Sequence, residues 1–171
     1  MRPSPPKPTP PGQQAKASTP KPALPGAKPT TKTPWDDSTQ ALARNTLQAG
    51  SQQLGVALSE AQTDALIGYL GLLHKWSKVY NLTAVRDPLE MVTLHLLDSL
   101  AVVPALLRHL DTPANRPAQP MRLLDVGSGA GLPGVVFAIA CPDLQVSCVD
   151  TVAKKAAFVG QVAAALGLSN L

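Results

Sequence analysis

An α/β protein is expected from three features of this 171-residue chain. Residues 122–134 read RLLDVGSGAGLPG, an apolar strand running straight into a turn with four glycines. A second apolar run, QVSCVD, closes on Asp150, and each run is followed by a helical pattern. The composition changes sharply near residue 34 and again near residue 120. These changes divide the chain into a tail (1–34), a helical N-terminal region (35–120) and the first half of a parallel-sheet domain (121–171).

The tail carries 11 of the 18 prolines, six of the fifteen basic residues and no acidic one. Residues 35–171 are left with nine basic and eleven acidic side chains, a formal −2, so the net +4 of the chain belongs to the tail. A Pro/Lys/Thr/Ala stretch buries too little surface to offset the entropy of ordering, and disorder with polyproline-like stiffness is expected. It reads as a solubilising leader or as a non-specific RNA tether, since clustered cations attract phosphate. No apolar h-region follows Arg2, which argues against a signal peptide. Nowhere do roughly 18 apolar residues run unbroken, so no membrane span is expected.

In the helical region, Asp36, Asp37 and Ser38 offer N-caps for a first helix, with Ala41, Leu42, Leu47 and Leu54 as apolar positions and Gly55 near its end. Ser59 and Gln62 form a capping box that opens a longer helix. Leu66, Tyr69, Leu70, Leu73 and Trp76 recur along it at helical spacing. After the break at Asn81, Asp87-Pro88-Leu-Glu90 supplies an N-cap, a proline at N1 and a glutamate at N3. The third helix carries Met91, Leu94, Leu97 and Leu100 until Pro104 interrupts it. Residues 111–120 form a proline-rich connector.

From residue 122 the pattern becomes β–α–β–α. Strands are expected at 122–126 and 145–149, and helices at about 132–141 and 153–166, with Gly167 as the C′ residue of the last. Residues 168–171 look like the approach to a third strand. Two strands and a stub cannot make a doubly wound sheet covered on both faces, so the front half of a longer enzyme is expected.

Glycines at the carboxyl end of a parallel strand build a nucleotide site at the strand–helix crevice. Two chemistries fit them. Gly129, Gly131 and Gly134 form G-x-G-x-x-G, with Asp150 about 20 residues on, as in an NAD-type dinucleotide fingerprint. Asp125, Gly127, Gly129 and Gly131 equally form the D-x-G-x-G-x-G of an S-adenosylmethionine methyltransferase. Electrostatics favours the second, because a carboxylate at the strand end repels a pyrophosphate and attracts an ammonium and a sulfonium. In either case Asp150 can accept the two ribose hydroxyls of an adenosine.

Together with the residues upstream, this site resembles the ribosomal RNA small subunit methyltransferase G (glucose-inhibited division protein B) family over about residues 61–171. The pieces are WSKVYNLT at 76–83, Arg86-Asp87-Pro88, His95 with Asp98-Ser99, DVGSGAGLPG at 125–134, and Asp150 with Lys154-Lys155. The Leu132-Pro133-Gly134 extension and the upstream motifs make the likeness far more specific than the glycines alone. The resemblance implies a Rossmann-like S-adenosylmethionine-dependent methyltransferase fold. It also implies methylation of guanine N7 in 16S ribosomal RNA, on the free RNA or on a small ribosomal subunit particle. A cytoplasmic monomer is expected.

By the same resemblance, Gly127 and Leu132 match positions that contact the donor. Gly129 and Gly131 would permit close backbone approach, Asp150 would hold the ribose, and Asp125 would steer the cationic amino-acid end. No catalytic residue is assigned, because guanine N7 already exposes a lone pair and needs no general base; rate would come from alignment and electrostatics. His95 and Asp98, three apart on one helix, are expected to pair with each other or to shape the RNA or donor pocket, and Lys154 and Lys155 to form a solvated face or meet phosphate. Cys141 and Cys148 fit no zinc spacing and read as core, and the scattered His74, His95 and His109 suggest no metal site. Two other readings stay open: an NAD-type oxidoreductase, and an inactive RNA-associated fragment with the tail as its working part.

Overall fold

The computed structural model describes residues 33–110 and 121–171. Residues 1–32 of the expected disordered tail and the whole 111–120 connector lie outside the described residues.

Helix α1 (Asp37–Gln53) starts where Asp36 accepts a hydrogen bond from the Thr39 amide at 2.9 Å, so one of the three offered caps is used. Its buried line is Thr39, Ala43, Leu47 and Ser51. Ala41 is exposed and Leu42 is 51% exposed, which corrects the expected stripe. Steps of four keep one line of the helix inward, and a residue one position off that line is turned by about 100° toward solvent.

Helix α2 (Glu60–Tyr80) has the expected capping box: Ser59 Oγ accepts from the Gln62 amide, and Gln62 Oε1 accepts from the Ser59 amide. Leu66, Tyr69, Leu70 and Leu73 are fully buried, and Trp76 is partly so. Gln62 also donates through Nε2 to the carbonyls of Ile139 and Ala140, both at 3.1 Å. One side chain thus starts this helix and ties it to the end of another. The helix stops at Asn81, which takes the left-handed conformation (φ 50°) that asparagine tolerates better than most residues.

The third helical run begins as expected, with Asp87 accepting from the Leu89 and Glu90 amides and Pro88 in the first turn. It comprises α3 (Pro88–Met91), a π-helical stretch (Val92–Leu97) and α4 (Asp98–Leu100). The residues buried are Met91, Val92, Leu96 and Leu100, while Leu94 is 54% exposed. The wider π turn moves the inward face by a residue, which a strict 3.6 period does not anticipate. The break falls at Ala101–Val102, and Pro104 sits in the first turn of α5 (Val103–Leu110), where no amide is needed. By length and mean hydropathy Pro88–Leu110 is apolar enough to cross a membrane, but its inward residues form part of the core.

Strands β1 (Met121–Val126) and β2 (Leu144–Val149) pair in parallel, Met121 opposite Leu144 and Val126 opposite Val149. They are linked by α6 (Gly134–Ala140), and α7 (Ala153–Leu166) ends at Gly167 with φ 64°, as expected. The Val146 amide donates to the Asn170 carbonyl at 2.8 Å. Asn170 Nδ2 donates to the Ala138 and Leu144 carbonyls. After α7 the chain therefore comes alongside the free edge of β2, where the third strand was expected. Helix α2 packs against both α6 and α7. The result is a partial Rossmann-like unit braced by the N-terminal helices, whose alternate sheet positions Leu123, Val146 and Cys148 join the core.

Candidate functional site

Five turn-forming positions decide the local path. Gly127, Gly129 and Gly131 have φ of 78°, 58° and 88°, a region closed to most residues with a Cβ. They serve different ends. A Cβ on Gly127 would meet nothing within 4 Å, and on Gly129 only the Gly127 carbonyl at 4.0 Å, so bare backbone faces open space there. On Gly131 a Cβ would lie 2.3 Å from a Val135 methyl, so this glycine is needed for packing. Gly134 begins α6 so close to the sheet that a Cβ would lie 2.4 Å from Cys148 Sγ and 2.8 Å from Asp125 Oδ2. Leu132 is partly buried against the core and is joined to Pro133 by a cis peptide bond.

The two carboxylates do different work. Asp150, at the end of β2, accepts from the Gly129 amide through Oδ2 at 2.9 Å and from the Val152 amide through Oδ1 at 2.8 Å. Lys155 Nζ lies 3.6 Å from Oδ2. The Val152 amide, with smaller help from Gly129 and Lys155, holds the Asp150 carboxyl below the ordinary carboxylate range. It does not cap α7, whose N-cap position is Val152. Asp125 points the other way, under the turn: Oδ2 accepts from the Gly134 amide at 2.9 Å. Burial pushes its carboxyl upward, against the pull of that hydrogen bond.

The amides of the crook are almost all committed inside the protein. Gly127 and Ser128 donate to the Val149 carbonyl, Gly131 and Leu132 to the Ser128 carbonyl, and Val135 to the Gly131 carbonyl. Gly129 donates to Asp150 and Gly134 to Asp125, while Pro133 has no amide hydrogen to offer. A diphosphate seeking the start of α6 would meet a carboxylate already on the amide it needs. Open backbone remains at Gly127 and Gly129, with the Asp150 carboxylate at the neighbouring strand end.

All six expected site residues thus fall in one turn–strand–helix region, but Asp125 lies on its inner side and Asp150 on the strand-end side. Tyr69 was missed as a site support. Its hydroxyl, fully buried, donates to the Ala130 carbonyl at 2.9 Å and holds the far side of the turn. In the sequence it was one apolar position among several, with nothing to separate it from its neighbours. His95 does not pair with Asp98: its Nε2 lies 2.9 Å from Thr83 Oγ1, and Asp98 is exposed. The wider π turn around His95 accompanies that partnership with the loop after α2. Lys155, expected on a solvated face, is the ion-pair partner of Asp150, while Lys154 is exposed. Cys141 is buried, Cys148 is partly buried, and both are free. Burial and the nearby Asp125 charge push the Cys148 thiol up to about 11. Among the described residues no group of three His, Cys, Asp or Glu side chains could hold a metal ion.

The family described as rRNA small subunit methyltransferase G matches residues 62–171. Among curated proteins, the Ribosomal RNA small subunit methyltransferase G of Acidovorax sp. (strain JS42) is 65% identical over 129 residues, 73% of this chain and 56% of its own length. That of Paracidovorax citrulli is 62% identical over 130 residues, covering 73% and 54%. The protein of the same name from Polaromonas naphthalenivorans is 58% identical over 134 residues, covering 78% and 60%. The chain thus spans little more than half the length of these relatives. With the glycine turn, the strand-end carboxylate and nearly all of the helical run from α2 onward inside the matched region, this chain belongs to the rRNA small subunit methyltransferase G family.

Proposed function

We propose that this chain carries the donor site of an S-adenosylmethionine-dependent methyltransferase acting on guanine N7 of 16S ribosomal RNA. The observation that carries the reading is the division of labour in the crook. Its amides are almost all internally satisfied, its glycines at 127 and 129 open onto free space, and carboxylates take the places where phosphates would bind. That arrangement suits a cation better than an anion. It also disfavours the dinucleotide reading, despite the matching glycine spacing.

In this reading Asp150 accepts the ribose hydroxyls through lone pairs not used by Gly129 and Val152. The bare backbone at Gly127 and Gly129 lies against the donor, and Leu132 supplies apolar contact. Asp125 acts through space, as a negative charge behind the turn, because its nearer oxygen is held by Gly134. S-adenosylmethionine would supply the electrophilic methyl group. The protein's own contribution is alignment of the guanine with it, in keeping with a nucleophile that needs no base. The family name of the relatives supports ribosomal RNA as substrate. A cytoplasmic monomer, acting on the RNA or on a small-subunit particle, is the matching cellular picture.

Transfer of a labelled methyl group tests this. The full-length protein should label 16S ribosomal RNA that lacks the modification, with the label at guanine N7, and Asp150→Ala should lower donor affinity about tenfold or more. Label on another atom would reject the N7 assignment, and no donor dependence at all would reject the enzyme.

A further inference from the structure

Three rings climb from the core to the surface between α2 and α7. Phe158 is fully buried, and Trp76 lies on it with centroids 5.6 Å apart. Tyr80 lies on Trp76 at 5.4 Å, with the ring planes 34° apart, and is 40% exposed. The segment after Tyr80 is pinned. Arg86 donates through Nη2 to Asn81 Oδ1 at 2.7 Å and through Nη1 to the Ser77 carbonyl at 3.0 Å. An exposed tyrosine is thereby set on a rigid base at a helix end whose backbone is fixed.

Its electrical setting differs from the rest of the chain. Residues 71–86 contain Lys75, Lys78 and Arg86 and no carboxylate, and residues 151–171 contain Lys154 and Lys155 and no carboxylate. The nearby acids are engaged, Asp87 with Thr33 and the α3 amides, and Asp150 with Lys155. Gly68 lies against Leu166 and Trp76 against Phe158, so α2 and α7 run antiparallel. That register sets Tyr80 level with Lys154, next in sequence to the lysine that reaches Asp150. The tyrosine therefore stands at the carboxyl end of the sheet, on the same side as the glycine crook. Lys75, Lys78 and Lys154 are all exposed.

We propose that Tyr80 is a stacking platform for a base of the RNA substrate, with Lys154 taking an adjoining phosphate. This rests on the RNA-methyltransferase reading and adds a contact to it. A π face set among cations suits a single-stranded nucleic acid, because stacking tolerates any base while the cations follow the backbone. A tyrosine that merely shielded Trp76 from water would be replaceable by leucine, and this separates the two roles.

Binding of a fluorescein-labelled single-stranded oligoribonucleotide to the full chain, followed by anisotropy across a salt series, tests the proposal. Tyr80→Phe should bind within about twofold of wild type, while Tyr80→Ala and Tyr80→Leu should each lose about tenfold at every salt concentration. Lys154→Gln should flatten the salt dependence. Far-ultraviolet circular dichroism on each variant confirms folding, and Tyr80→Leu keeps an apolar cover on Trp76. Binding by the leucine variant equal to wild type would overturn the platform, as would absence of RNA binding by the wild-type chain. Titration of the same samples with S-adenosylmethionine separates the failures. Donor binding with Tyr80 indifferent to RNA removes only the platform. Tyr80-dependent RNA binding without donor binding removes the methyltransferase reading and leaves the platform.

Discussion

Gly127 and Gly131 have similar positive φ and opposite surroundings, so the same substitution should separate folding from binding. Gly131→Ala forces a methyl into Val135 as well as an unfavourable φ, and should cost about 2–4 kcal/mol of stability. Gly127→Ala meets no atom and should cost only about 1–2 kcal/mol, the penalty of a left-handed alanine. It places its methyl where the donor is expected, so donor affinity should fall while the fold persists. Urea denaturation and donor titration on the two variants check this. Asp125 allows a pH test. Burial raises its pKa in the folded chain, so ionisation costs stability that is absent at acid pH. The cost grows as pH rises through the ordinary carboxylate value to the raised one. Asp125→Asn keeps an acceptor for the Gly134 amide and removes that cost. Urea midpoints should therefore shift in the variant's favour on going from acid to neutral pH, while donor affinity at neutral pH falls.

At the scale of elements, the β–α–β–α order was readable because alternating apolar runs, a glycine turn and Gly167 all mark boundaries independently. Helix starts at Asp36, Ser59 and Asp87 were readable because each cap is a side-chain hydrogen bond encoded within a few residues. The inward face of Pro88–Leu110 was not, because the π turn is settled by distant partners such as the Thr83–His95 contact rather than by local pattern. The glycine turn and the place of Asp150 at a strand end were readable, while the inward turn of Asp125 and the Tyr69–Ala130 bond depend on how α2 meets the sheet. Tyr69→Phe tests that dependence. It leaves the Ala130 carbonyl without its buried donor and should cost about 1–3 kcal/mol, with a measurable loss of donor affinity although residue 69 lies far from the crook in sequence.

For the molecule as a whole, the two sheet faces are unequal. Leu144 and Val146 are buried, while Leu124 and Val126 are 63% and 75% exposed on the opposite face. Leu144→Ala should cost about 2–4 kcal/mol, whereas Val126→Thr should change the stability of the 171-residue chain by about 0.5 kcal/mol or less. Thermal or urea melts compare them directly. The helices ahead of the sheet are structural partners of the site, since α2 braces the turn through Tyr69, the end of α6 through Gln62 and α7 through Trp76. Calorimetric titration of the folded protein with S-adenosylmethionine and, separately, with NAD tests the central assignment. Saturable binding of the methyl donor, weakened in Gly127→Ala and in Asp150→Ala, with no heat from NAD, is the predicted result. NAD binding that survives without any response to the donor would contradict it.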